Sequence, residues 1–214
     1  MKSLEGVRVG FAMTGSFCTF AQAFAQAEYL VSLGAQLVPI MSTHAAQIST
    51  RFGEAKAQRE RLEQIAGRSA IVTIEDAEPI GPKQMTDVMA VVPCTSNTAS
   101  KLALSITDTP VTMAVKSHLR SGLPVVLAIA SNDALAGSMK QIGLLANTKH
   151  YYFVPLRQDD VQRKPTSLLA DFSQTAETIA AALEGRQLQP SVLMMEVFTE
   201  NSKLNAAPNK GAAF

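Results

Sequence analysis

Apolar and polar positions follow two rhythms along the chain, and these predict strands and helices in turn. The runs at 88–92 and 125–130 are continuously apolar, which is typical of strands buried on both faces of a parallel sheet. Shorter apolar runs predict further strands at 7–12, 37–41, 70–74 and 151–154. Three- and four-residue apolar spacing predicts helices at 17–33, 55–65, 98–105, 111–119, 134–145 and 175–183. This order predicts an α/β fold with a mainly parallel sheet and helices on both faces.

Two helices have apolar faces that predict which side chains point inward. In the closing helix these are Ile179 and Leu183. The inward face of the first helix is predicted to consist of Phe17, Phe20, Ala21, Phe24 and Val31.

Residues 76–83 contain two prolines and a glycine, so they predict a loop.

Length and composition favour one domain followed by a short extension. The 214 residues are 47% apolar and 17% charged, which supplies enough apolar material for a sizeable core. Residues 1–188 are expected to form this domain. Residues 189–214 mix Pro, Asn, Lys and Ala without a clear period and are expected to form an extension that is loosely ordered towards its end.

Charge and aromatic content argue against two classes of partner. The net charge is +1, Trp is absent and aromatics make up 6%, so neither an electrostatic field nor a base-stacking platform favours nucleic acid. The first apolar stretch, 7–13, is too short to cross a bilayer. Cys18 and Cys94 are expected to be reduced thiols. We therefore expect a cytoplasmic protein that binds neither nucleic acid nor membrane.

Polar clusters follow several predicted strands, at the edge where parallel sheets bind their ligands. The first cluster is Thr14, Gly15 and Ser16. Two hydroxyls at a helix start suit a phosphate, although the same residue types cap ordinary helices. The cluster is not G-x-G-x-x-G, so it does not indicate a dinucleotide site.

The second cluster follows the apolar run 88–92 and contains more polar residues than one helix cap needs. It favours a bound phosphate or polar ring edge, with helix capping as the alternative. A further cluster, Ser131 with Asn132 and Asp133, follows the run 125–130 and either binds a ligand or caps the next helix. The residues of the second cluster are Thr95, Ser96, Asn97 and Thr98.

The remaining reactive side chains give no catalytic pattern. Cys94 has no activating His in the sequence around it, so we expect a small buried residue and not a nucleophile. His44 is either a base or a surface residue, and no role is assigned to His118 or His150. No spacing of His, Cys, Asp and Glu resembles a metal site.

Together these clusters resemble the motifs of a flavin-binding family that includes phosphopantothenoylcysteine decarboxylase, peptidyl-cysteine decarboxylases and flavin prenyltransferase. The family turn G-x-x-x-T-G-S/A is matched by GFAMTGS at 10–16, and Thr-x-x-Ala by THAA at 43–46. The most specific motif, P-x-S/T-x-N-T-x-x-K-x-A, is matched by PCTSNTASKLA at 93–103. The resemblance covers about residues 7–155.

The resemblance implies a three-layer, Rossmann-like sandwich that binds FMN, commonly assembled as trimers with the flavin between subunits. It therefore implies a homo-oligomer, a trimer or higher. The helix at 111–119, with Val111, Met113, Val115 and Leu119, is a candidate interface, or else it only covers the sheet. The residues implied to bind FMN are Thr14, Gly15, Ser16, Thr43, Thr95, Ser96, Asn97 and Thr98.

Five further stretches are similar to one branch of the family, whose members work with a nucleotide-binding partner subunit. For this branch the resemblance implies an oxidoreductase subunit that converts a dihydropyridine dicarboxylate into the aromatic pyridine during sporulation, with NAD(P) on the partner. The stretches lie at 76–82, 107–113, 142–145, 152–155 and 158–160.

Two departures from the cysteine decarboxylases bear on the reaction. Those enzymes carry a catalytic His before the fourth strand, whereas residues 74–87 contain no His. Their substrate-binding P-A-M-N reads IASN at 129–132, which leaves Ser131 and Asn132 as implied substrate contacts. A stand-alone decarboxylase and a flavin-free scaffold remain the alternatives. No catalytic residue is assigned, and the cations nearest in sequence for an anionic substrate are Lys101, Lys116, Arg120 and Lys140.

Overall fold

The structure, a computed structural model, describes residues 3–193. They form an α/β sandwich around a seven-stranded sheet in the order β2-β1-β3-β4-β7-β6, with β5 also paired to β4. The strands are β1 (Arg8–Met13), β2 (Gln36–Met41), β3 (Val88–Cys94), β4 (Val125–Ser131), β5 (Tyr151–Phe153), β6 (Leu156–Asp160) and β7 (Lys164–Ala170). The pairs among β1 to β5 are parallel, and β7 is antiparallel to β4 and β6.

Helices in two packed groups complete the three layers of the sandwich. In one group α1 packs on α3 and α8, and in the other α6 packs on α4 and α5, which in turn contacts α7. The helices are α1 (Phe20–Ser32), α2 (Thr43–Gln47), α3 (Ala55–Ala66), α4 (Ile74–Ala77), α5 (Ser96–Ala103), α6 (Pro110–Leu119), α7 (Met139–Ala146) and α8 (Thr175–Leu183).

The strand order reverses between β1 and β3, and this fixes where a ligand can bind. From β1 the chain moves to β2 on one side, and it then crosses back to place β3 on the other side of β1. All seven residues of β3 are buried. The helices that follow β1 and β3 diverge at this point, so a crevice opens beyond the carboxyl ends of these two strands.

The first helix buries a face adjacent to the predicted one. Phe20 and Phe24 are buried as expected, but Ala21 and Val31 are exposed, and Phe17 lies in a 3₁₀ turn before the helix. The small residues Ala23 and Ala27 point to the sheet instead. The prediction had followed the larger apolar side chains, which made the apolar face of the helix look wider than the buried one. In α8, Ile179 is buried whereas Leu183 is 39% exposed.

The prediction of a strand at 70–74 is wrong. Only Ile71 pairs with the sheet, in a single bridge to Ile40. The Thr73 hydroxyl accepts from the Asp76 amide and thereby starts α4. The predicted loop at 76–83 is correspondingly helical in its first half, with a 3₁₀ turn at Glu78–Ile80. The side chain of Thr73 stops the β-branched run before it becomes a strand.

The hairpin of β6 and β7 was not predicted, and α7 begins five residues later than expected. Between β4 and α7, the Asp133 carboxylate accepts from Ser131 Oγ (2.5 Å) and Ser138 Oγ (2.8 Å). These bonds close turns over residues 132–138 where the sequence had indicated helix. They also hold the pKa of Asp133 below its ordinary value, with Ser131 contributing most.

The helix α6, predicted either to form an interface or only to cover the sheet, packs its apolar side chains on the sheet. Val111 and Val115 are fully buried within the chain, so they are not available to a partner, and Met113 and Leu119 are half-buried against the same core. At the end of the described chain, residues 191–193 run beside Leu156 of β6. The predicted loose end of the extension, 194–214, lies outside the described residues.

Candidate functional site

A cavity of about 450 Å³ lies at the crevice beyond the carboxyl ends of β1 and β3; we call it the first cavity. It brings together residues from the turn after β1, the start of α2, the start of α5 and the start of α6. Six of the eight predicted FMN ligands line it, together with the predicted substrate residue Lys101. Its lining is Gly15, Ser42, Thr43, His44, Thr95, Ser96, Asn97, Thr98, Lys101, Asp108 and Thr109.

Three helix starts face this cavity, each capped by a hydroxyl. The side chains of Ser42, Thr95 and Thr109 accept from backbone amides in the first turns of α2, α5 and α6. Thr95 is therefore the N-cap of α5. Helix starts present unpaired amides and a partial positive charge. The cavity therefore offers donors and positive potential to an anionic group such as a phosphate.

Thr14 was expected to line this site, but it lies beneath it. Its side chain is buried, and Oγ1 donates to the Pro93 carbonyl (2.8 Å) and accepts from the Thr95 amide (3.0 Å). Thr14 thus joins the end of β1 to the end of β3 and holds the floor of the first cavity. These bonds help to position Thr95 at the start of α5.

Gly15 is a glycine that the fold itself does not require. Its φ is not in the left-handed region, and a Cβ built on it would meet only Phe17 at 3.7 Å and His44 at 4.0 Å, which are ordinary contacts. The backbone turn at this position therefore does not require a glycine. Because Gly15 lines the first cavity, the missing side chain leaves room for a ligand to approach the backbone. The cavity's hydroxyls, helix starts and bare backbone fit a phosphate-bearing flavin.

One ion pair sits at the mouth of the first cavity. Lys101 Nζ donates to both carboxylate oxygens of Asp108, at 2.9 and 2.8 Å. This hydrogen bond lowers the pKa of Asp108. Because Asp108 offsets the charge of Lys101, the helix starts are the main source of positive potential in the cavity. The other cations considered from sequence lie elsewhere: Lys116 lines a separate apolar groove, and Arg120 and Lys140 are on the exposed surface.

A second cavity of about 290 Å³ is lined by Ser16, the residue that follows Gly15 of the first cavity. It takes in Ser16 together with Ser131 and Asn132, so Ser16 lies apart from the cluster with which the sequence had grouped it. Its far wall is the hairpin strand β7, which brings in Lys164. No sequence pattern pointed to Lys164, because only the antiparallel pairing of β7 with β4 carries it there. The lining is Ser16, Cys18, Thr19, Gln22, Ala130, Ser131, Asn132, Lys164, Ser167, Leu168 and Leu169.

Two buried groups, Cys94 and His118, line neither cavity. Cys94 is fully buried at the end of β3, and burial raises the pKa of its thiol to about 12, which suits a packing role and not a nucleophile. His118, to which the sequence analysis assigned no role, is 1% exposed. Its Nε2 donates to the Pro124 carbonyl at 3.0 Å, because a carbonyl only accepts, and Nδ1 accepts from Thr86 at 2.8 Å.

Two kinds of site are not found in the described part of the chain. Among residues 3–193, no cluster of three or more His, Cys, Asp or Glu side chains is placed to hold a metal ion. Within the same residues, no helix has the length and apolar character needed to cross a membrane.

Sequence and structure comparisons agree with the geometry. The family model described as Flavoprotein matches residues 1–182. The chain belongs to the flavoprotein family, and its structural neighbours share the flavoprotein decarboxylase-like fold.

Particular relatives narrow this class. The chain is 43% identical over 190 residues to the B subunit of dipicolinate synthase from Bacillus subtilis (strain 168), covering 89% of this chain and 95% of that protein. The crystal structure of the dipicolinate synthase B subunit from Bacillus halodurans C superposes with a TM-score of 0.83 at 41% identity, over 90% of this chain and 99% of that one. The FMN-dependent cysteine decarboxylase SpaF shares the fold, with a TM-score of 0.62 at 21% identity over 85% and 98% of the two chains.

Proposed function

We propose that the chain acts as the B subunit of a dipicolinate synthase, which oxidises dihydrodipicolinate to dipicolinate during sporulation. The observation that carries the proposal is the 43% identity to the B. subtilis protein across 95% of that protein's length. A protein named as a subunit works with a partner, and for this chain we propose a nucleotide-binding A subunit that holds NAD(P).

FMN would be held in the first cavity by residues from three elements. The start of α5, with Ser96, Asn97 and Thr98, offers amides and hydroxyls, Thr43 adds a further hydroxyl, and Gly15 allows close approach of the backbone. These groups suit the phosphate and the polar edges of the ring without adding charge. When bound, FMN supplies a hydride acceptor.

The dihydropyridine would lie in the second cavity, beside the first. Gly15 lines one cavity and the next residue, Ser16, lines the other, so ligands in the two would be neighbours. Ser131 and Asn132 offer polar contacts over the apolar floor of Ala130 and Leu168. The chain's part is to hold the ring in place and to exclude water from it.

A stand-alone cysteine decarboxylase is the less favoured function. Residues 74–87, which precede β3, contain no His to act in that chemistry. They form α4 and a 3₁₀ turn packed on α6, and none of them lines either cavity. A flavin-free scaffold that activates the partner is distinguished from the proposed function by experiment.

Reconstitution with the A subunit tests the proposal. Formation of dipicolinate from freshly made dihydrodipicolinate and NAD(P) is followed for this chain alone, the A subunit alone, and both together. We expect turnover with both, and faster turnover when this chain has been loaded with FMN. Equal rates with and without this chain would contradict the proposal, and a requirement for the chain with no effect of FMN would favour the scaffold.

A further inference from the structure

We propose that Asp133 is a positioning residue for the oxidation, because it ties the wall of the first cavity to the wall of the second. The inference rests on the proposed function, which places FMN in the first cavity and the dihydropyridine in the second. Asp133 belongs to neither lining, so it acts through the side chains that do. Alignment of the two rings matters because a displacement of about 1 Å can cost about 100-fold in rate.

The two carboxylate oxygens of Asp133 hold the ends of different elements. Ser131 Oγ, at the end of β4, donates to Oδ1 at 2.5 Å, and Ser138 Oγ, at the start of α7, donates to Oδ2 at 2.8 Å. The Asp133 carbonyl also accepts from the amides of Ala136 and Ser138, at 2.9 and 3.2 Å. Hydrogen bonds to a carboxylate are about twice as strong as those between neutral groups. One residue therefore sets the path of the chain from β4 to α7.

A third serine connects this carboxylate to the first cavity. Ser96, the first residue of α5, is a further hydrogen-bond donor that lowers the pKa of Asp133, by less than Ser131 and Ser138 do. Ser96 lines the first cavity and Ser131 lines the second. The helices α5 and α7 pack on each other, so the carboxylate lies where the segments after β3 and β4 meet. Asp133 is thus a shared acceptor for one side chain from each cavity.

The hairpin anchors the same loop independently, so the fold does not depend on Asp133. Thr166 Oγ1 donates to the Asn132 carbonyl at 2.7 Å, and the Leu135 amide donates to the Thr166 carbonyl at 2.9 Å. Asp133 is itself exposed, so its truncation leaves no hole in the core. Loss of the carboxylate should therefore spare the fold, while the hydroxyls of Ser96 and Ser131 lose the acceptor that orients them.

Steady-state kinetics of the reconstituted pair test this role. The step concerned takes one hydride from the dihydropyridine to the flavin and one proton to solvent, and it leaves the aromatic pyridine and the reduced flavin. We expect Asp133→Ala to lower kcat by about tenfold or more with little change in KM, because binding is kept and alignment is lost. Asp133→Asn keeps the shape but only one uncharged acceptor oxygen, and its kcat should be intermediate.

Asp171→Ala is the matched control. The Asp171 carboxylate accepts from Ser173 Oγ at 2.7 Å and caps the 3₁₀ turn at Phe172–Gln174, outside the linings of both cavities. This variant should keep the original kcat. Ser96→Ala added to Asp133→Ala should lower kcat no further than Asp133→Ala alone, because the two side chains act as one unit. Retention of FMN, read from visible absorption, is the folding control, and Asp133→Asn decides the question if Asp133→Ala does not retain it.

The outcomes separate this inference from the proposed function. Turnover with the original kcat in Asp133→Ala would overturn the positioning role and leave the proposed function intact. A rise in KM alone would also overturn it, since that would mark a contact with the substrate. Losses that multiply when Ser96→Ala and Asp133→Ala are combined would contradict the shared carboxylate. Absence of turnover by the unaltered pair would remove the proposed function, and the positioning role with it.

Discussion

At the scale of single residues, Gly15 gives the sharpest test of the flavin site. Because its backbone conformation suits any residue and a Cβ finds only ordinary contacts, Gly15→Ala should stabilise the flavin-free chain by about 0.4–1 kcal/mol through the unfolded state. The added methyl would project where the ligand approaches the backbone. We therefore expect FMN binding to weaken by about tenfold or more. Urea unfolding and flavin fluorescence titration measure the two effects.

Gly143→Ala is the matched control for that variant. Gly143 lies in α7, and a Cβ there meets nothing within 4 Å. It should stabilise the chain by about 1 kcal/mol, as Ala does in a helix, and leave FMN binding unchanged. Unaltered flavin affinity in Gly15→Ala would show that the glycine does not face the ligand.

Thr14 is expected to matter for stability and not for contact with the ligand. Thr14→Val removes the donor to Pro93 and the acceptor for the Thr95 amide, while it keeps the shape of the side chain. Leaving the part-buried Thr95 amide without its acceptor, while the Pro93 carbonyl keeps only the Thr14 amide as donor, should cost about 1–3 kcal/mol. Thr14→Ser keeps both bonds and should cost less, about 1 kcal/mol for the missing methyl. Chemical denaturation that ranks Ser below Val in stability would contradict this role.

At the scale of elements, His118 links α6 to the residues that precede β3 and β4. It also makes stability depend on pH. Burial, opposed by the bond to Pro124 and by Asp87, lowers the pKa of His118 to about 4, from an ordinary value of 6.5. As pH falls from 6.5 to 4, the unfolded chain binds a proton that the folded chain does not. The free energy of unfolding should therefore fall by up to about 3 kcal/mol over this window.

Denaturation curves of His118→Gln, taken between pH 7 and pH 4.5, measure that contribution. The variant should be less stable at pH 7, where it loses the imidazole contacts, but its stability should vary less with pH. His150→Asn is the control, because it also removes one imidazole and Asn tolerates the φ of 73° at this position. An equally steep pH dependence in His118→Gln would assign the effect to other groups.

The elements that sequence could predict are those whose surroundings are uniform. The runs 88–92 and 125–130 became β3 and β4, because a strand covered on both faces leaves no position for polar side chains. The hairpin of β6 and β7 mixes charged and apolar residues, and its place depends on pairing with β4 across the sheet. Lys164 therefore could not be placed in the second cavity by any local pattern.

The site was predictable to the same extent. That residues after β1, β2 and β3 converge follows from their common position at strand ends, which the sequence shows. The sequence does not show that Thr14 is buried while Gly15 and Ser16 line two different cavities. This arrangement results from the turn in which the Ser16 amide donates to the Thr14 carbonyl at 2.7 Å, so three consecutive residues face three directions.

At the scale of the whole molecule, exposed apolar side chains near the first cavity favour self-association. Ile48 and Phe52 follow α2, and Leu104 and Ile106 follow α5, with exposures of 42–59%. Both helices begin at the cavity, so a second copy that covers these residues would also enclose the flavin. Obligate interfaces bury at least ~2,000 Å², and we expect the chain to remain a homo-oligomer, a trimer or higher, at micromolar concentration.

Light scattering of the purified chain measures its mass. Replacing Leu104 and Ile106 together by Glu should reduce the mass towards that of one chain and weaken flavin retention. Val31→Glu, which alters an exposed apolar residue of α1, should leave the assembly intact. A mass near the 22.8 kDa of one chain for the unaltered protein, with flavin still bound, would contradict both the assembly and the enclosure of the flavin by it.

The flavin site in the crevice between β1 and β3 is tested most directly by a visible absorption spectrum. The purified chain is incubated with FMN, and unbound flavin is then removed by gel filtration. We predict a protein fraction that carries the flavin spectrum in proportion to chain, with its bands shifted from those of free FMN. A colourless protein fraction, with all FMN in the small-molecule fraction, would contradict the presence of a flavin site in this crevice.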